Sequence, residues 1–556
     1  MTTPGAAHEL TTLLQDFLAE HLADDPVAAS DIGLTEYDSQ LPDLSAGSFS
    51  RRAQADAAWL SSLTAVPDVG LDAELEADRD LVLAELRRRA VLHDRQHWRR
   101  DPDLYTATVL SGVFDRFLHR KPDADLASDI CARMLGAPEL LAEGRANLDP
   151  ELASPLLLRR AVGMARGGAA YFRDEVAGQL PDGPLRAEVA EAGAVAAQAY
   201  DGWAEHLSEL AERAHGDWAI GEPAYSALLQ GFEGLSYGAA GLHQRGAALY
   251  DDLATEMAEL TGAVRLAAGG DAGDTDWRAL VAELSEDAPP TPEAMRAEYA
   301  AATERARGWA RETGLVPFAD GERCAVDPAP EFMRGFLAVA FYLPPPAVGG
   351  NGLGHFMVPY PPAGSSPEEV RGRLASNARY SIPTVAVHEA YPGHHWHLSW
   401  LAQQQPRLLR FAFTSSYFIE GWGLYVEQVA REAGFFADPR AAFGQVEARL
   451  FRAARVVVDT ALHTGEMTVE QAVTHLVEGT GLSAETARAE VTRYCAWPTQ
   501  AASYLIGAVE IGRLAQEWVA DGGDLAGFHG RIAGTGMLPL GIAERLLRAD
   551  GWPQRP

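Results

Sequence analysis

The sequence predicts a mostly α-helical protein that carries one small β-sheet immediately before a histidine-rich segment. Apolar residues recur at helical spacing through residues 8–315 and again from Glu368 to the end. Between about 316 and 365 the texture changes to short apolar runs bounded by proline or glycine, the pattern of strands. Hydrophobic residues make up 47% and charged residues 22% of the 556, so a large buried core is within reach of this chain.

The elements follow in order. The run Leu10-Thr11-Thr12-Leu13-Leu14-Gln15-Asp16-Phe17-Leu18 reads as an amphipathic first helix, not as a secretory leader, because it lacks both a basic start and an apolar centre. Helical patterns run from Leu71 to Asp94, Leu126 to Asn147, Pro155 to Ala177, Leu185 to Arg213 and Tyr237 to Leu266. Residues 267–274, rich in Gly, Ala and Asp, form an exposed loop, and Pro289-Pro290-Thr291-Pro292-Glu293 opens another helix. The strand candidates are Arg323 to Val326, Phe336 to Tyr342 and His355 to Val358. The glycine-rich 349–354 stretch, Gly349 to Gly354, is a flexible connection or a candidate flap, and helices resume at Glu368. These textures divide the chain into an N-terminal helical region, 1–315, and a region 316–556 that holds the sheet and the histidines.

Charge and cysteine content exclude several functions. The 78 acidic and 46 basic side chains leave a net charge of −32. That charge repels phosphate backbones and anionic lipid, so neither nucleic acid nor membrane is an expected partner. No stretch reaches the ~18–20 apolar residues of a membrane span, and the expected location is the cytoplasm. The three cysteines, Cys131, Cys324 and Cys495, are far apart and form neither a disulfide framework nor a metal-binding pair.

The segment His388-Glu389-Ala390-Tyr391-Pro392-Gly393-His394-His395 carries the chemistry. Of sixteen histidines, four (388, 394, 395 and 397) fall within ten residues, beside a glutamate. A catalytic zinc needs three protein ligands, an open position and a neighbouring carboxylate. In a regular helix His394 would lie roughly 600° around the axis from His388, and His395 about 10 Å along it, so an unbroken helix serves neither. Pro392 and Gly393 permit a break. A bulge that absorbs two residues brings His394 to His388, and one that absorbs three brings His395; His394 is preferred and His395 is the alternative. A straight helix through 388–395 excludes both.

The third ligand is expected from Ile419-Glu420-Gly421-Trp422-Gly423-Leu424-Tyr425-Val426-Glu427, whose glycines allow a second helix to approach closely. Glu420 is preferred because an unpaired carboxylate in this apolar run would be costly; Glu427 is the substitute. His397 alone reads as a packing residue.

These two segments resemble the bacterial domain-of-unknown-function family 885, which is grouped with gluzincin-type zinc metallopeptidases. The resemblance extends over most of the chain, more loosely in the N-terminal half. It implies a large helical metallopeptidase-like fold with a deep cleft, His-His-Glu ligation of Zn2+ by His388, His394 and Glu420, and Glu389 as general base. It also implies a short edge strand beside the metal helix, a role that falls to His355–Val358.

Two groups are candidates to stabilise a developing oxyanion. His463 lies four residues after Asp459 on one helix face, and the Asp-Thr-x-x-His run belongs to the family pattern; the alternative is a histidine favoured by the helix dipole. Tyr504 sits among small residues on a predicted helix, and related metallopeptidases use such a hydroxyl; alone it reads as a core tyrosine. Arg493, Tyr494 and Gln500 are possible substrate contacts or structural hydrogen bonders. The expected function is a zinc-dependent hydrolase acting on short peptides. The competing expectation is the same metal chemistry on a non-peptide amide or ester of a specialised small molecule.

Overall fold

The computed structural model describes residues 4–553 except 330, 335–338, 351 and 405–406. It is mostly α-helical with a three-stranded sheet, as the periodicity predicts. Two compact units divide it. The first runs to Ile220 and includes Pro346–Gly350 and Phe411–Phe413; the second takes the remaining described chain from Gly221 onward. The boundary thus lies at 220, not 315, because the helices between 221 and 313 pack with the histidine-bearing half.

In the first unit, helices Ala73–Asp94, Ala124–Asn147 and Pro184–Arg213 lie close to their expected bounds. The helix expected from Pro155 to Ala177 is regular only to Ala170, then continues as a wider turn at Tyr171–Glu175. Gly193 faces that turn so closely that a Cβ would stand 2.4 Å from the Phe172 carbonyl oxygen. The residues 349–350 of the candidate flap cluster with this unit, where Val348 N–H donates to the Ile32 carbonyl at 2.9 Å; Asn351 lies outside the described residues.

The second unit contains the site. Its elements are α1 (Gly238–Ala267), α2 (Pro292–Thr313), β1 (Arg323–Pro328), β2 (Phe341–Leu343) and β3 (Leu353–Val358). There follow α3 (Ile382–Glu389), α4 (His394–Gln403), α5 (Ser416–Glu432), α6 (Pro439–Thr464), α7 (Ala484–Ala496) and α8 (Gln500–Ala520). α2 starts where the proline cluster places it, with the Thr291 hydroxyl accepting from Ala294 N–H at 3.1 Å. α5 is capped by Ser415, whose side chain accepts from Phe418 N–H and donates to Glu233.

The sheet order is β1-β3-β2, with β1 parallel and β2 antiparallel to β3. Strand β3 is therefore central, paired along 353–358 on one side and 355–357 on the other. This corrects the expectation that His355–Val358 is an edge free to pair with an extended substrate. The second strand is Phe341–Leu343, shorter and later than the expected Phe336–Tyr342, part of which lies outside the described residues. Among the described residues no helix is long and apolar enough to cross a membrane.

Candidate metal centre

The histidine segment is broken, but as two helices and not as a bulge within one. α3 ends at Glu389, residues Ala390–Gly393 turn the chain with a cis Tyr391–Pro392 bond, and α4 begins at His394. Gly393 has a steric reason to be glycine, since a Cβ there would stand 1.8 Å from the His388 carbonyl oxygen. Trp422 of α5 donates its indole N–H to the Pro392 carbonyl at 3.0 Å, fixing the turn against that helix.

The break sets His388 and His394 edge to face, with ring centroids 4.7 Å apart. Glu420 closes the group, its Oε2 lying 3.5 Å from His388 Nε2 and 3.6 Å from His394 Nε2. One ligand atom from each of the three lies within 4.8 Å of the others. Zinc bonds of about 2.0–2.1 Å at tetrahedral angles would separate ligand atoms by about 3.3–3.4 Å, close to the separations of Glu420 from each histidine, so the donor set fits zinc in kind and in these two spacings.

His395 is directed elsewhere. Its Nε2–H donates to Glu322 at 3.0 Å, and Tyr342 of β2 donates to its Nδ1 at 3.0 Å. Of the two histidines left open by the sequence, the structure brings His394 to His388. His397 is buried against Phe418 and Trp422, and burial pushes its imidazole down to about 3, as suits a neutral packing residue.

Glu427 has the other half of His388. The His388 Nδ1–H donates to Glu427 Oε1 at 2.7 Å, which leaves Nε2 as the face toward Glu420. Glu427 is thus the orienting partner of a candidate ligand, on the far side of the ring from Glu420. Room for that ring comes from Gly423, where a Cβ would stand 2.6 Å from His388 Cε1. Burial opposes the charge on His388, but Glu420, Glu427 and Glu389 together hold its imidazole up to about 10. Glu420 is desolvated too, yet its two histidine partners hold its carboxyl well below the ordinary range.

Glu389, the last residue of α3, is half-buried. Burial raises its pKa; the neighbouring His388 and His394 oppose that and Glu420 adds to it. Tyr504 lies on the first turn of α8, one turn before Gly507. Gly507 abuts Gly421 of α5 backbone to backbone, 2.8 Å from a built Cβ to the Gly421 Cα, and this seam sets Tyr504 beside Glu420. The Glu420 charge, after burial, is what most raises the Tyr504 phenol.

His463 belongs to a different network. It is fully buried, its Nε2–H donates to the Tyr494 carbonyl at 3.0 Å, and its ring lies against Tyr225. Asp459 accepts from the Tyr225 hydroxyl and from Thr499 N–H, while its nearest approach to His463 Nε2 is 3.8 Å. Those contacts tie helices together and favour the structural reading of His463. Arg493 donates to Gln500 at 2.6 Å and pairs with Glu490 at 2.9 Å, and Tyr494 donates to Glu490, so these three are also engaged structurally.

Sequence reasoning missed Glu322, whose carboxylate accepts from Tyr391, His395, Arg307 and Arg311. These partners overcome its burial and hold the carboxyl down to about 2. It also missed Arg452 and Arg455 of α6, whose guanidinium carbons lie 5.7 and 4.9 Å from the Tyr504 ring centroid. Neither signal is local: Glu322 precedes His395 by 73 residues, and arginines are the common basic residue of this chain.

Residues 26–547 match the family described as bacterial protein of unknown function (DUF885). Two solved structures share the fold. A "putative lipoprotein of unknown function" from Shewanella oneidensis has a TM-score of 0.79 at 20% identity, covering 97% of this chain and 99% of that one. A "putative lipoprotein" from Colwellia psychrerythraea has a TM-score of 0.81 at 20% identity, covering 98% of this chain and 99% of that one. No curated protein matches the chain.

Proposed function

The chain belongs to the family of bacterial proteins of unknown function (DUF885), and from its His-His-Glu cluster we propose that it is a zinc-dependent hydrolase, a metallopeptidase of gluzincin type that acts on short peptides. One observation supports this reading above the others: His388 Nε2, His394 Nε2 and Glu420 Oε2 converge while Glu427 fixes the His388 tautomer. A structural ion-pair cluster would have no need of two imidazoles turned edge to face toward one carboxylate oxygen.

In this reading His388, His394 and Glu420 hold the ion. Zinc so held supplies Lewis acidity and lowers the pKa of a water molecule. Glu389 accepts the proton of the attacking water and returns it to the leaving amine; burial raises its proton affinity, which favours the first of these transfers. Tyr504 donates its hydroxyl to the oxygen on which negative charge develops. His463 keeps the imidazole-bearing end of α6 in place from outside the reaction.

Metal analysis of the purified protein, with a peptide-library digest by the wild type and Glu389→Gln, tests the reading. Stoichiometric zinc in both proteins and peptide cleavage by the wild type alone are expected. Undiminished turnover by Glu389→Gln would refute the base, and cleavage of an ester and amide panel without any peptide would move the substrate to the non-peptide class. The proposal keeps the protein in the cytoplasm; fractionation of cells that make it is the corresponding check, since both solved relatives carry "lipoprotein" in their names.

A further inference from the structure

α6 passes the start of α3 at close range, where Gly444 faces Tyr380 so tightly that a Cβ would stand 2.7 Å from the Tyr380 carbonyl oxygen. From there eight residues carry α6 about 12 Å to Arg452, while seven carry α3 about 10 Å from Ile382 to Glu389. The two ends come level: the Arg452 charge is among those acting on the Glu389 carboxyl. Arg452 also lies over the ring of Tyr504. It is thus near the proposed oxyanion donor and within electrostatic reach of the proposed base.

Its own bonding is incomplete. Arg452 is half-buried, and one terminal nitrogen donates back to the Ala448 carbonyl of its own helix at 3.1 Å. Its Nε is buried without a hydrogen-bond partner, and among the described residues the guanidinium forms no ion pair. The surrounding charges are already committed. Arg455 and Arg493 both pair with Glu490 at 2.9 Å. Glu447, five residues back on α6, is hydrogen-bonded to Tyr380, and burial lifts its carboxyl to about 7 against the lowering by Tyr380 and Arg452. In a chain with 32 more acids than bases, a half-buried guanidinium that feels the Glu389 and Glu447 carboxyls but makes no ion pair with either among the described residues keeps donors open for a ligand. A planar guanidinium takes a carboxylate through two parallel N–H bonds, and does so best where water is partly excluded.

We propose that Arg452 anchors a carboxylate of the substrate, so that the site takes peptides or acyl-amino acids with a free carboxylate close to the bond that is cut. The inference rests on the hydrolase reading for its chemistry but not for its binding. Glu389 and Glu420 would repel an anionic substrate, and Arg452 supplies the opposing charge on the Tyr504 side of the site. Arg452 is a specificity residue in this scheme; the proton transfers remain with Glu389.

The test compares matched libraries of di- and tripeptides as free acids and as C-terminal amides, digested by the zinc-loaded full chain and read by mass spectrometry. The wild type is expected to cut the acids in preference to the amides. In Arg452→Met, which keeps the aliphatic stem, the acid-to-amide ratio of kcat/KM is expected to fall about 10- to 100-fold, mainly through KM. Arg452→Lys, with the charge but not the fork, is expected to fall between. Equal cleavage of acids and amides by the wild type, or an unchanged ratio in Arg452→Met, overturns the proposal. If no peptide is cut by any protein, the peptidase reading fails and the anchor is read by calorimetry with 3-phenylpropanoate and 3-phenylpropanamide. Preference for the acid in the wild type, lost in Arg452→Met, then supports the anchor; equal binding by both proteins overturns it.

Discussion

Glu427 Oε1 accepts from His388 Nδ1 at 2.7 Å, and both groups are almost fully buried. The carboxylate decides which ring nitrogen of His388 is left to face Glu420 and His394. Removing it as Glu427→Ala is expected to weaken zinc binding about 10- to 100-fold while leaving all three ligands in place. Competition titration against a chromophoric chelator measures this. Unchanged affinity would show that the ring is held by other means.

Gly423 leaves no room for a methyl group beneath that same ring. Gly423→Ala is expected to push His388 out of line and to cost about 1–3 kcal/mol of stability through overpacking. Thermal melting and zinc content should fall together. Gly512, farther along the α5–α8 contact, is the control: a Cβ there meets Tyr425 at an ordinary 3.8 Å, so Gly512→Ala should spare the zinc.

The metal-free group carries a proton at neutral pH. Glu420, Glu427 and Glu389 outweigh burial and hold His388 up to about 10, whereas Glu420 is held low and is already ionised. Zinc bound as proposed would therefore displace a proton from His388 and none from Glu420. Calorimetry at pH 7 in buffers of different ionisation enthalpy is expected to show release of about one proton from this pair, with affinity rising about tenfold per pH unit until His388 titrates. Affinity that stays flat between pH 7 and 9 would contradict the assignment.

Tyr504 and His463 separate by their effects. Tyr504→Phe is expected to lower kcat by about 10²- to 10³-fold with zinc retained and melting little changed. His463→Ala removes the donor to the Tyr494 carbonyl from a fully buried position and is expected to cost about 1–3 kcal/mol in stability. A loss of kcat in His463→Ala without a fall in melting temperature would return that histidine to the reaction.

Much of this was legible in the sequence because it was local. Pro392 and Gly393 cannot continue a helix past Glu389, and the structure breaks where they stand. The glycines around Trp422 announce a close approach, and Gly421 and Gly423 each make one. The division of labour between Glu420 and Glu427 was harder, since residues seven apart share a helix face and only the tilt of the His388 ring sends one to each nitrogen. The centrality of β3 was illegible for another reason: its partners β1 and β2 come from either side of a four-residue helix, and pairing order leaves no periodic trace. His463 is the reverse case: its spacing from Asp459 is local, whereas its contacts with the Tyr494 carbonyl and the Tyr225 ring come from other helices and leave no trace in the sequence around it.

The seam between Gly421 and Gly507 has a consequence for how the proposed hydrolase could change its substrates. Where two backbones touch with no side chains between them, there is nothing to repack. A sequence change elsewhere can reshape the walls of the site or add and remove charges such as Arg452. It cannot alter the spacing of Glu420 and Tyr504 while both glycines stand. If the protein is the proposed hydrolase, changes of specificity would therefore fall on α6 and away from α5 and α8.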